Sequence, residues 1–147
     1  MPRILPNEYI GMARRWSAPA GQRLARLATA DAHGAPHVVP VGFRVSEEGD
    51  AIEVGGHGFG GSKKYRDLRI NPRVAIVIDD LASVSPWTPQ GIEIRGTAEL
   101  HDSGGERFGE GWDPAWVRIV PERIVSWGVE APPFTKGSRQ ARSIARS

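Results

Sequence analysis

Apolar residues recur at every second position through much of this chain, in short runs separated by glycine, proline and acidic residues. The clearest case is residues 92–100, where Ile92, Ile94 and Leu100 alternate with Glu93, Arg95 and Glu99, as in a strand with one face in a core. Ala51-Ile52-Glu53-Val54 repeats the pattern on a smaller scale. Residues 24–29 and the β-branched residues 37–45 predict two more strands. A turn at Asp31-Ala32-His33-Gly34 separates them, with Gly34 suited to positive φ, and Glu48-Gly49-Asp50 turns the chain after the second. Residues 74–78 are continuously apolar, which predicts a strand buried on both sides. Residues 116–120 and 124–129 predict the last two strands.

Two segments follow helical spacing instead. Asn7 can cap a short helix over residues 7–16, and Tyr65 and Leu68 mark a second over 62–70, stopped by Asn71-Pro72. Six or seven short strands with a helix after the third describe a closed or nearly closed antiparallel barrel. A sandwich carries the same strand signals, so the pattern alone leaves both open. Pro40 lacks an N–H for the ladder and predicts an edge strand or a bulge. An open edge in so small a barrel calls for cover from a second subunit.

Composition narrows the class. A length of 147 residues suits one domain, and 39% hydrophobic with 24% charged residues is the balance of a soluble globular chain. No stretch is long and apolar enough to span a bilayer, and the N-terminal residues lack the apolar run of a secretory signal, so a cytoplasmic location without membrane contact is expected. The absence of cysteine removes disulfides, thiolate metal sites and cysteine nucleophiles. Four of the 19 Lys and Arg residues (Lys136, Arg139, Arg142 and Arg146) follow Glu130, with none of the 17 acidic residues. The chain therefore divides into a slightly acidic domain, 1–130, and a basic tail, 131–147, expected as a solvated extension. A uniformly basic nucleic-acid surface is not supported.

The segment richest in candidate chemistry runs from Gly55 to Arg66. Gly55, Gly56, Gly58, Gly60 and Gly61 surround His57 and Phe59, and Ser62, Lys63 and Lys64 then open the helix. Glycines let a ligand approach the backbone, the first helical N–H groups are unpaired, and the two lysines add positive charge, a combination suited to phosphate. The competing reading is a loop with Ser62 as an ordinary helix cap, and the residue types leave both open. Neither a Walker loop nor a dinucleotide fingerprint is present.

Three stretches, Leu27-Ala28-Thr29, residues 34–41 and residues 62–74, resemble the pyridoxamine-phosphate-oxidase-like FMN-binding split barrels. The closer likeness is to the actinobacterial branch grouped as F420-dependent enzymes. Residues 91–100 and 119–128 are similar to later parts of the same family, so the likeness covers residues 7–130 in order. The resemblance implies a mainly β split barrel of six to seven antiparallel strands with flanking helices, working as a homodimer whose flavin lies between subunits. It implies that Ser62, Lys63 and Lys64 hold the cofactor phosphate. Val39-Pro40-Val41 and Gly55-Gly56-His57 would lie against the ribityl chain and ring, and the strand entered through Trp87 and Gln90 would approach from the partner. The implied activity is hydride transfer between F420 and a small organic substrate. The alternatives are an FMN oxidase or reductase, or a non-catalytic flavin or haem binder. The chain departs from pyridoxamine phosphate oxidases in having Gln90-Gly91 where an Arg-Gln pair is expected, and in lacking their C-terminal substrate-phosphate signature.

Other side chains take plainer roles. His33 and His101 fall in turn-like positions, and His57 is a loop histidine whose setting could place it beside a cofactor. Glu47-Glu48 and Asp79-Asp80 predict solvated turns, while Trp116 and Trp127 fit a core or a dimer interface. No metal-ligand cluster, nucleophile motif or identifiable catalytic side chain appears, as suits an enzyme whose cofactor carries the redox chemistry.

Overall fold

The computed structural model describes residues 24–144, and the helix predicted at 7–16 lies outside them. Among these residues are eight strands: β1 (Ala25–Ala30), β2 (Pro36–Val41), β3 (Arg44–Val45), β4 (Ile52–Val54), β5 (Arg73–Ser83), β6 (Thr88–His101), β7 (Trp116–Trp127) and β8 (Arg139–Ser143). Among the described residues one α-helix, α1 (Lys63–Ile70), follows β4, and short 3₁₀ turns occupy Phe59–Gly61 and Gly105–Phe108.

The strands form one antiparallel sheet in the order β2-β1-β5-β6-β7-β4-β3, with β8 also on β7. The two ends of this order, β2 and β3, are separated in sequence only by Gly42 and Phe43. So short a link requires the sheet to curl until its ends meet at that corner. This is a split β-barrel, which decides between the barrel and the sandwich.

Alternation sets the two faces. Leu27, Ile76, Ile94 and Ile124 form an inward row across β1, β5, β6 and β7, each of them at most 1% exposed. Phe59, Tyr65 and Leu68 bring the 3₁₀ turn and α1 into the same core. A buried ring of this size contributes roughly 2–3 kcal/mol, so these three side chains fix the helix against the barrel far more firmly than its own eight residues could. The Tyr65 hydroxyl then donates to the backbone oxygen of His101 at the end of β6, 3.2 Å away.

Several expectations change. Residues 116–120 and 124–129 are not two strands: β7 runs unbroken through Pro121, with a bulge in which Glu122 is the extra residue between the Arg95–Arg123 and Gly96–Pro121 pairs. Part of the expected tail forms β8, which pairs with β7 along five positions from Arg123–Ser143 to Trp127–Arg139, although its side chains stay largely exposed. β5 continues past the predicted residue 78 to Ser83, so Asp79 lies within a strand and pairs with Arg26 at 3.0 Å. His101 ends β6 and stacks on Trp116, ring centres 4.2 Å apart, instead of standing in a solvated turn. In the single chain, residues 74–78 are fully buried on one face only, with Ala75 and Val77 half-buried on the other. Pro40 does lie in the strand at one end of the sheet, β2, and Gly34 adopts φ +80°.

Candidate cofactor site

Helix α1 begins because Ser62 caps it. Its Oγ accepts from Tyr65 N at 3.3 Å and donates to Phe59 O at 2.6 Å, so the hydroxyl joins the 3₁₀ turn to the helix. That is the capping role weighed against phosphate binding, and the hydroxyl already has a partner for its proton. Lys63 bonds both oxygens of Asp67, at 3.1 and 3.2 Å, and Asp67 also accepts from the Thr29 hydroxyl.

Lys64 differs. Its ammonium lies 5.3 Å from the centre of the Phe59 ring, and no carboxylate among the described residues pairs with it. Burial alone holds its pKa below the usual lysine value. A partly desolvated cation in the first helical turn is unfavourable by itself, because the helix dipole is positive there too. An anion beside it relieves both penalties, so these residues fit a phosphate-bearing cofactor.

The glycine-rich loop is shaped mainly by its own protein. A Cβ on Gly55 would lie 3.1 Å from the Trp112 ring, and one on Gly60 would lie 2.7 Å from an Asp113 carboxylate oxygen. Gly58 opens the 3₁₀ turn with φ +63° and open space around it, so backbone freedom, not crowding, requires glycine there. Asp113 accepts from Gly60 N at 2.8 Å through its side chain and donates to Gly56 O at 2.9 Å through its backbone N–H. His57 is exposed, with its ring against Gly111. Trp112 and Asp113 were missed because their loop has no periodicity. The available signal was the Trp-Asp-Pro run between Gly111 and Ala115.

The other predicted residues are distributed unevenly. Val41 is buried and Val39 packs against the core, so of Val39, Pro40 and Val41 only the exposed Pro40 turns outward. Trp87 is 57% exposed at the tip of the β5–β6 hairpin, and Gln90 pairs with Asp80 close to the same tip. Tyr65, beside Lys64, touches His101, which is eleven residues beyond Gln90 on β6, or about 35 Å along a strand. One chain thus groups Gly55, Gly56, His57, Ser62, Lys63 and Lys64 at one end of β6 and leaves Trp87 and Gln90 at the other. Among the described residues, an open cleft of about 390 Å³ is lined by Ala28, Ala75, Arg73 and Arg95, and another of about 340 Å³, at the Lys64 end of β6, by Tyr65, Arg69, His101 and Asp102.

A second polar network flanks the glycine loop. Arg44, Glu53, Arg118 and Glu99 face one another in register across β3, β4, β7 and β6, giving a cross-strand row of alternating charge. Arg118 also binds Asp50 at 2.5 Å. Burial pushes the Asp50 carboxyl up, but the Ser46 hydroxyl and the Arg118 guanidinium outweigh it and hold its pKa below the usual carboxylate value. Burial pushes Glu53 up, and there the nearby Arg44, Arg107 and Arg118 do not offset it.

Residues 17–142 match the pyridoxamine 5'-phosphate oxidase family. The chain belongs to that family. A 5a,11a-dehydrotetracycline/5a,11a-dehydrooxytetracycline reductase of Streptomyces rimosus subsp. rimosus is 42% identical over 109 residues, covering 74% of this chain and 77% of that protein. Among solved structures, an F420 reductase superposes with a TM-score of 0.61 at 20% identity, covering 82% of this chain and 98% of its own. A heme binding protein from Mycobacterium smegmatis superposes with a TM-score of 0.62 at 16% identity, covering 95% and 59%. The two structural likenesses establish the fold. The reductase relative, with the family match, places this chain among oxidoreductases of that fold. No helix among the described residues is long and apolar enough to cross a membrane.

Proposed function

We propose that this protein is a cytoplasmic F420-dependent reductase that saturates an electron-poor carbon–carbon double bond in an oxygenated fused-ring substrate. The observation that carries the cofactor half is Lys64, a partly buried cation at a helix start with no carboxylate partner among the described residues. The substrate half rests on the Streptomyces rimosus relative, whose name specifies a dehydrotetracycline. The chemistry supplied by a bound reduced deazaflavin is a hydride, which with one proton saturates the double bond while the ring is oxidised.

In this reading Lys64 holds the coenzyme phosphate, with the N–H groups of the first helical turn beside it. Lys63 tempers the charge of Asp67 beneath the site. Pro40 and the loop around His57 present the surface on which the ring lies. Trp87 and Gln90 complete the site from a second subunit, since one chain holds them far from Lys64. The partner covers the outward face of β2, β1 and β5, where Val38, Ala28 and Ala75 stand in one cross-strand row.

The test is turnover of a dehydrotetracycline with reduced F420, with FMN titrated in parallel. Saturation of the double bond with F420 and none with reduced FMN is the expected result. Turnover with FMN alone would move the protein to the flavin branch, and tight binding without turnover would make it a carrier.

A further inference from the structure

The loop that carries Trp112 and Asp113 belongs to neither the barrel nor the helix, yet it meets the glycine-rich segment at four points. The Trp112 ring covers Gly55, Asp113 N–H donates to Gly56 O, the His57 ring meets Gly111, and the Asp113 carboxylate accepts from Gly60 N–H. Asp113 alone grips both ends of the segment 56–60. That segment runs directly into the 3₁₀ turn whose Phe59 O accepts from Ser62 Oγ, and Phe59 carries the ring beneath the Lys64 ammonium.

From this geometry we propose that Asp113 is a positioning residue for cofactor binding, acting through Gly60 and Phe59 to hold Ser62 and Lys64 ready for the anion. The inference rests on the phosphate role of Lys64 given above. Asp113 makes no ion pair with a described residue, so its carboxylate serves as a hydrogen-bond acceptor and not as a counter-ion. A negative charge near an anion site lowers affinity, which sets geometry against charge as the role of this side chain. An Asn side chain keeps the accepting oxygen at the same reach and removes the charge. A Glu side chain keeps the charge but adds a methylene in a space where Gly60 and Ala115 already stand close.

The experiment titrates F420 and FMN into the full chain carrying Asp113→Asn, Asp113→Glu or Lys64→Ala, with hydrogen exchange read at the Gly60 amide. The expected result is wild-type or tighter affinity and retained protection for Asp113→Asn. Asp113→Glu should lose protection and bind roughly tenfold more weakly, the cost of ordering a loop at binding. If that variant melts too low to titrate, Asp113→Ser, too short to reach Gly60, replaces it with the same expectation. Affinity lost in Asp113→Asn and kept in Asp113→Glu would overturn the clamp in favour of a charge effect. Unchanged affinity in both, with Lys64→Ala weakened, would overturn the clamp and leave the phosphate site standing. Unchanged affinity in Lys64→Ala would remove that site and the clamp with it.

Discussion

The Lys64 ammonium stands 5.3 Å from the centre of the Phe59 ring, and that ring, 2% exposed, is fixed in the barrel core. The contact supplies a cation–π attraction but no proton acceptor, so the ammonium is held in place without being neutralised. Its depressed pKa means that the charged form destabilises the apo fold, and that this penalty is full below the folded pKa and fades only as pH rises from there to the ordinary lysine value. Lys64→Ala should therefore leave the apo melting temperature unchanged or slightly raised at neutral pH. The same substitution should weaken F420 binding about tenfold to a hundredfold, the scale of one charge-assisted contact to phosphate. Calorimetric titration beside apo melting curves reads both halves.

Asp50 gives the pH dependence its acid limb. The carboxyl is 2% exposed, accepts from Ser46 Oγ at 2.7 Å and pairs with Arg118. A folded pKa below the ordinary 3.8 means that its stabilisation is complete above that value and is lost as pH falls through the folded pKa. Wild-type stability should decline below about pH 4, and Asp50→Asn should show a shallower decline. At pH 7 the same variant should be about 2 kcal/mol less stable, because Arg118, partly buried, loses its shortest ion pair and keeps the exposed Glu99 at 3.5 Å with Glu53 opposite it in the charge row. Urea unfolding at pH 7 and pH 3 checks this, and parallel pH profiles for the two proteins would sink it.

Gly96 sits at the β6–β7 bulge, where a Cβ would lie within van der Waals overlap of the Val120 backbone oxygen. Backbone cannot swing aside as a side chain can. Gly96→Ala should cost about 3 kcal/mol through this overpacking. Gly42→Ala, whose Cβ would meet nothing within 4 Å, is the control and should be near neutral. Equal melting temperatures in the two variants would show that the bulge relaxes more freely than its geometry implies.

Elements whose side chains alternate were legible in the sequence. Ile92, Ile94 and Glu93 announce β6, and Ser62 with Asn71-Pro72 bracket α1 correctly. The strand through Pro121 was not legible, because a proline ordinarily ends pairing and only Glu122, as the extra residue of a bulge, carries β7 past it. β8 was hidden for another reason. Arg139-Gln140-Ala141-Arg142-Ser143 has no apolar face, and its order comes from backbone pairing to β7, which leaves no mark in hydropathy. In the candidate site, Lys64 could be found from charge at a helix start, whereas Asp113 acts through its place in the fold across a sequence separation of 53 residues.

The pairing of β8 reverses what composition implies for truncation. Removing residues 131–147 would strip the ladder from Arg123 to Trp127 and the bond from Ile144 N to Glu122 O at the bulge. The melting temperature should fall by about 5 °C or more, since each kcal/mol lost shifts it by roughly 2–8 °C in a chain of this size class. An unchanged melting temperature would mean that β8 adds no stability to β7.

Val38 and Ala28 stand opposite each other on the outward face of the sheet, and Ala75 continues the row on β5. Pro40, Arg26 and Val77 form the next row on the same face. An outward sheet face in a monomer ordinarily carries polar residues at these positions, because alternation places the apolar set inside. Here Val38 is 64% exposed and Leu24 is 51% exposed, while Arg26, within the second row, is neutralised by Asp79. An apolar row beside one whose single cation is ion-paired is the composition expected of a surface that another copy covers. Sedimentation at micromolar concentration should give a dimer of this 16.0 kDa chain. Val38→Arg should shift it toward monomer, because two copies related by a twofold axis each bring the added charge to the contact. If the cofactor lies between subunits, the same variant should lose F420 affinity in step with dimer loss, recovering it at higher protein concentration. A monomeric wild type that binds F420 as tightly as a dimer would place the whole site in one chain and exclude Trp87 and Gln90 from it.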